Sequence, residues 1–223
     1  MTKAREEILA KLKSARRRDN PARPPAPRLS ELSWTSERML EEFVHNLEAQ
    51  TAVVHRTKNY DEAADKLAEV MKTEGVKRAA ISNDGVVQRL DLPQWGKKHY
   101  VEILCPVDYP ERKHFKAMIF DEAEAGVTGV DFAIAESGTL CLIHDSNQPR
   151  LVSLAPLIHI ALLPLERLYP VYEDAIDRIF GSKENLPSQV TLITGPSMTA
   201  DIQGVPFKGM HGPKRLVVII IGM

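Results

Sequence analysis

From residue 35 onward, short apolar runs rich in β-branched residues alternate with amphipathic helical patterns, which leaves few folds open. Strands are predicted at Thr51–Arg56, Arg78–Ser82, Tyr100–Cys105, Thr139–Ile143, Gln189–Thr194 and Leu216–Ile221. Leu157–Leu163 is apolar almost throughout, as in a strand buried on both faces. Helices are predicted at Thr35–Ala49, Tyr60–Glu74 and Tyr169–Phe180; Gly75 and Gly181 follow the last two, in the usual position past a helix end. Strand–helix–strand alternation implies a largely parallel sheet covered by helices: an α/β fold, here a three-layer α/β/α open sheet.

The first 28 residues differ from the rest. Nine basic and three acidic residues give them +6, and the remaining 195 residues carry −7. Ala4, Ile8, Leu12 and Ala15 share one face of a helix predicted over 2–18, a stripe that needs a surface to pack on. Four prolines at positions 21, 24, 25 and 27 then make a stiff linker. The chain therefore divides into a basic arm (1–28) and an α/β domain (29–223). The arm suits docking on its own domain or on a sister chain, as in a homo-oligomer, or on an anionic partner. An acidic domain without a basic–aromatic stripe argues against nucleic acid as a partner.

Cys105 and Cys141 are the only cysteines, too few for a disulfide framework or for the ligands of an iron–sulfur cluster. The expected location is the cytoplasm, since no apolar run is long enough for a bilayer span and the basic N-terminus lacks the apolar core of a secretory signal. The seven histidines fall at no convincing metal-binding spacing, so no metal site is expected.

Two segments can carry chemistry. In the first, GVTGVDFAIAESGTL (126–140), Thr128 and Asp131 have capping-box spacing, which predicts a short helix from Gly129 to Ala135. Glu136 then stands in a turn with Gly138 and Thr139. It is a candidate nucleophile or general base, or a residue that ties down turn amides. In the second, LITGPSMTADI (192–202), a strand ends at Gly195 and Pro196 suits the first position of a helix. The free amides there, with Ser197, Thr199 and Asp201, could hold a carboxylate or phosphate, or could be ordinary capping. Arg150 is a further candidate anion contact, and His211, in the turn His211-Gly212-Pro213, a candidate proton donor. His159, inside an apolar run, reads as a satisfied core histidine. The site is expected at the carboxyl ends of the strands.

These two stretches, with PRLVSLAPLIHIALLP (149–164) and HGP (211–213), resemble the LUD domain of the lactate-utilisation protein C (LutC) family. The resemblance is strongest over residues 115–221. Ser137 stands where relatives often carry Thr, and Met198 where they often carry Arg or Asn, which removes a candidate anion contact. The resemblance implies a fold similar to the NagB/RpiA/CoA-transferase group. It also implies a role in oxidising L-lactate to pyruvate beside partner proteins that carry iron–sulfur and cysteine-rich motifs, this chain binding no cluster itself. A small carboxylate is then the expected ligand. Glutamate chemistry on an acyl-CoA or sugar phosphate, by Glu136, is the alternative, and a ligand-binding module without turnover is a third.

Overall fold

The structure is a computed structural model that describes residues 3–15, 34–181, 186–199 and 207–222. It comprises two compact units, Met1–Glu31 and Leu32–Met223. In the first, α1 (Lys3–Ser14) carries Ala4, Ile8 and Leu12 at helical spacing. The expected proline linker lies outside the described residues.

The second unit opens with α2 (Ser36–Ala49), capped by Thr35, whose hydroxyl accepts from the Arg38 amide. Then come β1 (Val53–Thr57), α3 (Tyr60–Glu74), β2 (Arg78–Ile81), α4 (Gly85–Gln88), α5 (Leu92–His99), β3 (Glu102–Leu104) and α6 (Arg112–Asp121). The middle of the chain forms β4 (Ala125–Gly129), β5 (Phe132–Ile134), β6 (Thr139–Ile143), α7 (Leu151–Leu154), β7 (Ile158–Pro164), β8 (Leu168–Tyr169) and α8 (Tyr172–Phe180). The last elements are β9 (Val190–Ile193), β10 (Met198–Thr199), β11 (Phe207–Lys208) and β12 (Arg215–Ile221).

Six strands form one parallel sheet in the order β1-β12-β7-β4-β2-β3. Its side chains alternate between two cores, as strand geometry requires. On one face Ile160, Leu162, Val217 and Ile219 pack against Leu67 and Met71 of α3 and Val86 and Val87 of α4. On the other, Ala161, Leu163, Val218 and Ile220 pack against Phe43 and Leu47 of α2 and against Leu140 and Leu142 of β6. The expected α/β layering is present, with one correction: β6 and β9 do not extend the parallel sheet. They pair antiparallel with each other in a second sheet, β8-β5-β6-β9, which covers part of the main one.

Two local expectations fail. The helix predicted from Gly129 to Ala135 is instead the end of β4 followed by β5. Residues Val130, Ala133, Ile134 and Ala135 are all buried, between two sheets, so the segment gains more from strand pairing than from helical periodicity. Asp131 caps nothing; its carboxylate accepts from the Ile143 amide at 2.7 Å. The helix predicted to start at Pro196 is also absent: Met198 and Thr199 pair with Lys208 and Phe207 in an antiparallel ladder. The last helix starts three residues later than expected, because Leu168–Tyr169 pairs with β5 as β8.

Candidate functional site

One concave site is a cavity of about 260 Å³ beneath the second sheet, lined by His159, Ser153, Thr191, Ser197 and His211 among others. His159 is the second residue of β7 and lies opposite Leu216, the second residue of β12, which also lines the cavity. The site thus sits at the amino ends of these strands, not at the carboxyl ends expected of an open α/β sheet. The carboxyl ends carry a structural network instead. Asp84 accepts from the Val86 and Val87 amides that start α4, and from the Gly129 amide at 2.8 Å. Asp84→Ala removes the cap and leaves a buried strand-end amide unpaired, so it should cost about 2 kcal/mol. A lower urea midpoint at unchanged slope would show it.

His159 is fully buried, and its Nε2 lies 2.8 Å from the Thr128 hydroxyl. Burial pushes its pKa down to about 3, so the ring is neutral. Its Nδ1 has no hydrogen-bond partner among the described residues. It is not the satisfied core histidine that its apolar neighbours suggested.

Thr191, on β9, is held from behind. Its hydroxyl lies 2.7 Å from Nε2 of His144, whose Nδ1 lies 3.0 Å from the Gln148 carbonyl. A carbonyl only accepts, so Nδ1 carries the proton. Burial holds His144 below the ordinary histidine value, so it is neutral and its Nε2 must accept from Thr191. Ser153, on α7, donates to the Arg150 carbonyl at 3.0 Å. Both hydroxyl oxygens therefore keep lone pairs free.

The GPS and HGP segments meet directly. The Ser197 amide donates to the Pro213 carbonyl at 2.8 Å, and Gly195, Ser197, His211 and Gly212 share the cavity wall. Gly195 packs so close to Gln50 that an added Cβ would stand 2.8 Å from that side chain. The other expected site residues lie apart. Thr128 supports the cavity through His159. Thr199 is in the β10–β11 ladder. Thr139 bonds to Ser137 at 2.7 Å. Gly138 has φ +60° and sits against Asn46, where any side chain would clash. Arg150 reaches Gln189 and lines a separate groove with Arg112 and Lys116. Asp201 lies outside the described residues.

Glu136 ties down an amide. Its carboxylate accepts from the Tyr172 amide at 2.8 Å, serving the first turn of α8, which has no side-chain cap of its own. Asn46 fixes the turn that holds Glu136, after β5, by donating to the Ala135 and Glu136 carbonyls. The Glu136 carboxylate is not part of the cavity wall. Among the described residues no three His, Cys, Asp or Glu side chains cluster as metal ligands. The Cys141 thiol, buried beside Asp131, is pushed up to about 12, out of the range of a thiolate nucleophile.

Residues 40–221 match the LUD domain. Near-full-length relatives include an uncharacterized protein of Neisseria meningitidis serogroup B, 31% identical over 98% of this chain and 93% of its own length. Lactate utilization protein C 1 of Bacillus mycoides is 30% identical over 97% of this chain and 96% of its own. Lactate utilization protein C of Halalkalibacterium halodurans is 27% identical over 96% and 94%. The fold is similar to a crystal structure of a DUF162 family protein from Deinococcus radiodurans, with TM-score 0.59 and 21% identity over 85% of this chain and 99% of that one.

Proposed function

The chain belongs to the LUD domain family, and we propose that it serves in lactate utilisation, as a component of a cytoplasmic system that oxidises L-lactate to pyruvate. The observation that carries this reading is near-full-length kinship with proteins named lactate utilization protein C. Oxidation of lactate releases two electrons and two protons, so the system needs an electron acceptor. This chain's residues do not fit an iron–sulfur cluster: it has two cysteines, and the thiol of one is held protonated by burial. The clusters in this reading therefore belong to iron–sulfur and cysteine-rich partner proteins. Among the described residues no helix is long and apolar enough to cross a membrane. Covalent chemistry at Glu136 gains no support, because its carboxylate is committed to the α8 amide and stands outside the cavity.

Deleting the gene should abolish growth on L-lactate while leaving growth on glucose intact. The tagged chain, purified from lactate-grown cells, should bring with it proteins showing iron–sulfur absorbance. Normal growth of the deletion strain on L-lactate would overturn the reading.

A further inference from the structure

A groove of about 450 Å³ lies along α6 beside the start of α7. Arg112, Lys116 and Arg150 line it, all three exposed, together with Phe115, Phe120 and Leu151. Three cations thus gather in one small concavity of a domain that is acidic as a whole. Among the described residues none of the three forms an ion pair with a carboxylate. Arg150 reaches the Gln189 side chain at 3.3 Å, and the Lys116 ammonium stands 5.9 Å from the centre of the Phe120 ring. Like charges held together repel, and an anion between them removes the repulsion.

The sequence of α6 opposes the dipole of its own helix. A helix start favours acidic side chains and a helix end basic ones. α6 begins Arg112-Lys113-His114, with no acidic residue in its first turn, no basic residue in its last, and no side-chain cap among the described residues. Sequences break local rules of this kind mainly at functional sites. α6 and α7 each lead into a strand of the parallel sheet, β4 and β7, so the two helices point the same way. Their starts, at Arg112 and Arg150, therefore share one end of the groove. Phe120 lies about 12 Å farther along α6, with Lys116 between on the same face. Beyond Phe120 come Asp121 and Glu122, which line an adjoining cavity with it. The groove is cationic at one end and aromatic at the other, and the acids past the ring keep an anion at the arginine end.

We propose that this groove binds a nucleotide-like organic phosphate, with its phosphates between Arg112 and Arg150, Lys116 alongside, and its flat ring against Phe120. Guanidinium forks match phosphate oxygens in pairs, and the lysine adds a point charge. Phe120 is 57% exposed, which leaves its ring available for stacking. The volume suits a small molecule. A long polyanion such as nucleic acid would meet the acidic remainder of the domain. The inference goes beyond the role in lactate utilisation and does not depend on it, since lactate carries a single charge and no ring.

The test is calorimetric titration of the full chain with ADP, and separately with pyrophosphate and adenosine, which divide ADP into its charge and its ring. ADP is expected to bind, and more tightly as ionic strength falls. Pyrophosphate should bind about tenfold or more weakly than ADP, and adenosine more weakly still. Arg112→Gln and Arg150→Gln, at exposed positions, should each weaken ADP about tenfold. Phe120→Ala should bring ADP down to the level of pyrophosphate. The comparison of the three probes on the unaltered chain stands even if a variant fails to fold. No heat with ADP at about 5 mM, beyond the range of a specific site, would overturn the proposal. So would equal affinities for ADP and pyrophosphate, or undiminished ADP binding when both arginines are replaced. A glutamate-rich peptide that binds where ADP does not would assign the groove to a protein partner and overturn it as well. None of these outcomes bears on growth on lactate, so the two readings fail separately.

Discussion

Gly126→Ala should destabilise the domain by about 3 kcal/mol or more, at the upper end of overpacking penalties. Gly126 lies in β4, paired through the ladder with Ala80 of β2 on one side and His159 of β7 on the other. A Cβ there would stand 1.8 Å from the Val152 carbonyl oxygen and 2.9 Å from its carbon. Neither is the end of a flexible side chain. The strand is pinned by neighbours on both sides, and Val152 is itself buried against Ala80, Leu104, Met118 and Ile119. Relief requires α7 to lift off the sheet, and α7 carries Ser153 of the cavity. For a domain of this size 3 kcal/mol corresponds to a fall in Tm of roughly 6–12 °C. Gly85→Ala is the control: an added Cβ there has nothing within 4 Å, at a helix start with ordinary φ. Its stability should stay within about 0.5 kcal/mol of the parent, as for a surface substitution. A Gly126→Ala protein as stable as the Gly85→Ala one would mean that α7 does not sit on β4.

Local signals in the chain made some of this architecture legible and left other parts hidden. α3 runs from Tyr60 to Glu74 as predicted, because its ends are set by neighbours in sequence: Asn59 accepts from the Glu62 amide, and Gly75 closes the helix at φ +70°. The runs at β7 and β12 were readable as buried strands because both faces are covered and polar alternation is lost. Residues 129–135 were not readable, since a short apolar stretch has no clear period. Its strand character comes from Thr139–Cys141 and from Leu168–Tyr169, which pair with it. Gly195-Pro196 serves a turn as readily as a helix start. The deciding partners, Phe207 and Lys208, lie farther along the chain than a local signal reaches. The site divides the same way. Family resemblance pointed to the GPS and HGP segments, and the Ser197–Pro213 hydrogen bond joins them. The glycine-containing turn singled out Glu136, as a catalytic group or a residue tying down amides, and its role as a remote cap depends on where α8 begins. His159 was passed over because an apolar run conceals which polar groups face a histidine across the sheet. That Thr128 meets one nitrogen and, among the described residues, nothing meets the other is a property of three-dimensional packing alone.

Asp131→Asn should stabilise the protein by about 3 kcal/mol near pH 8 and by almost nothing near pH 4. Burial pushes the Asp131 carboxyl from 3.8 up to about 6, against the opposing Ile143 amide and Arg167. A carboxyl whose folded pKa is raised favours the folded state only while it is protonated. That advantage is complete below about pH 4 and is lost as pH rises to about 6. Above that the ionised group carries a standing penalty of about 1.4 kcal/mol for each of roughly two units. Asparagine keeps an oxygen for the Ile143 amide and never ionises. His159 works in the opposite sense. Its folded pKa lies near 3 against 6.5 for an ordinary histidine, so acidification below 6.5 favours the unfolded chain by up to about 1.4 kcal/mol per pH unit. His144, also lowered by burial, adds to that loss. In the parent the Asp131 gain and the histidine loss oppose each other between about pH 6 and 4, which flattens the profile there. The Asn variant loses the gain and should decline steeply with acid over that window. Subtracting the parent's urea-derived stability from the variant's at each pH cancels every group the two share. The difference should fall from about 3 kcal/mol toward zero between pH 6 and 4. A difference independent of pH would mean that Asp131 is solvated, and that the contact between the β4–β5 connection and the end of β6 is looser than the 2.7 Å hydrogen bond implies.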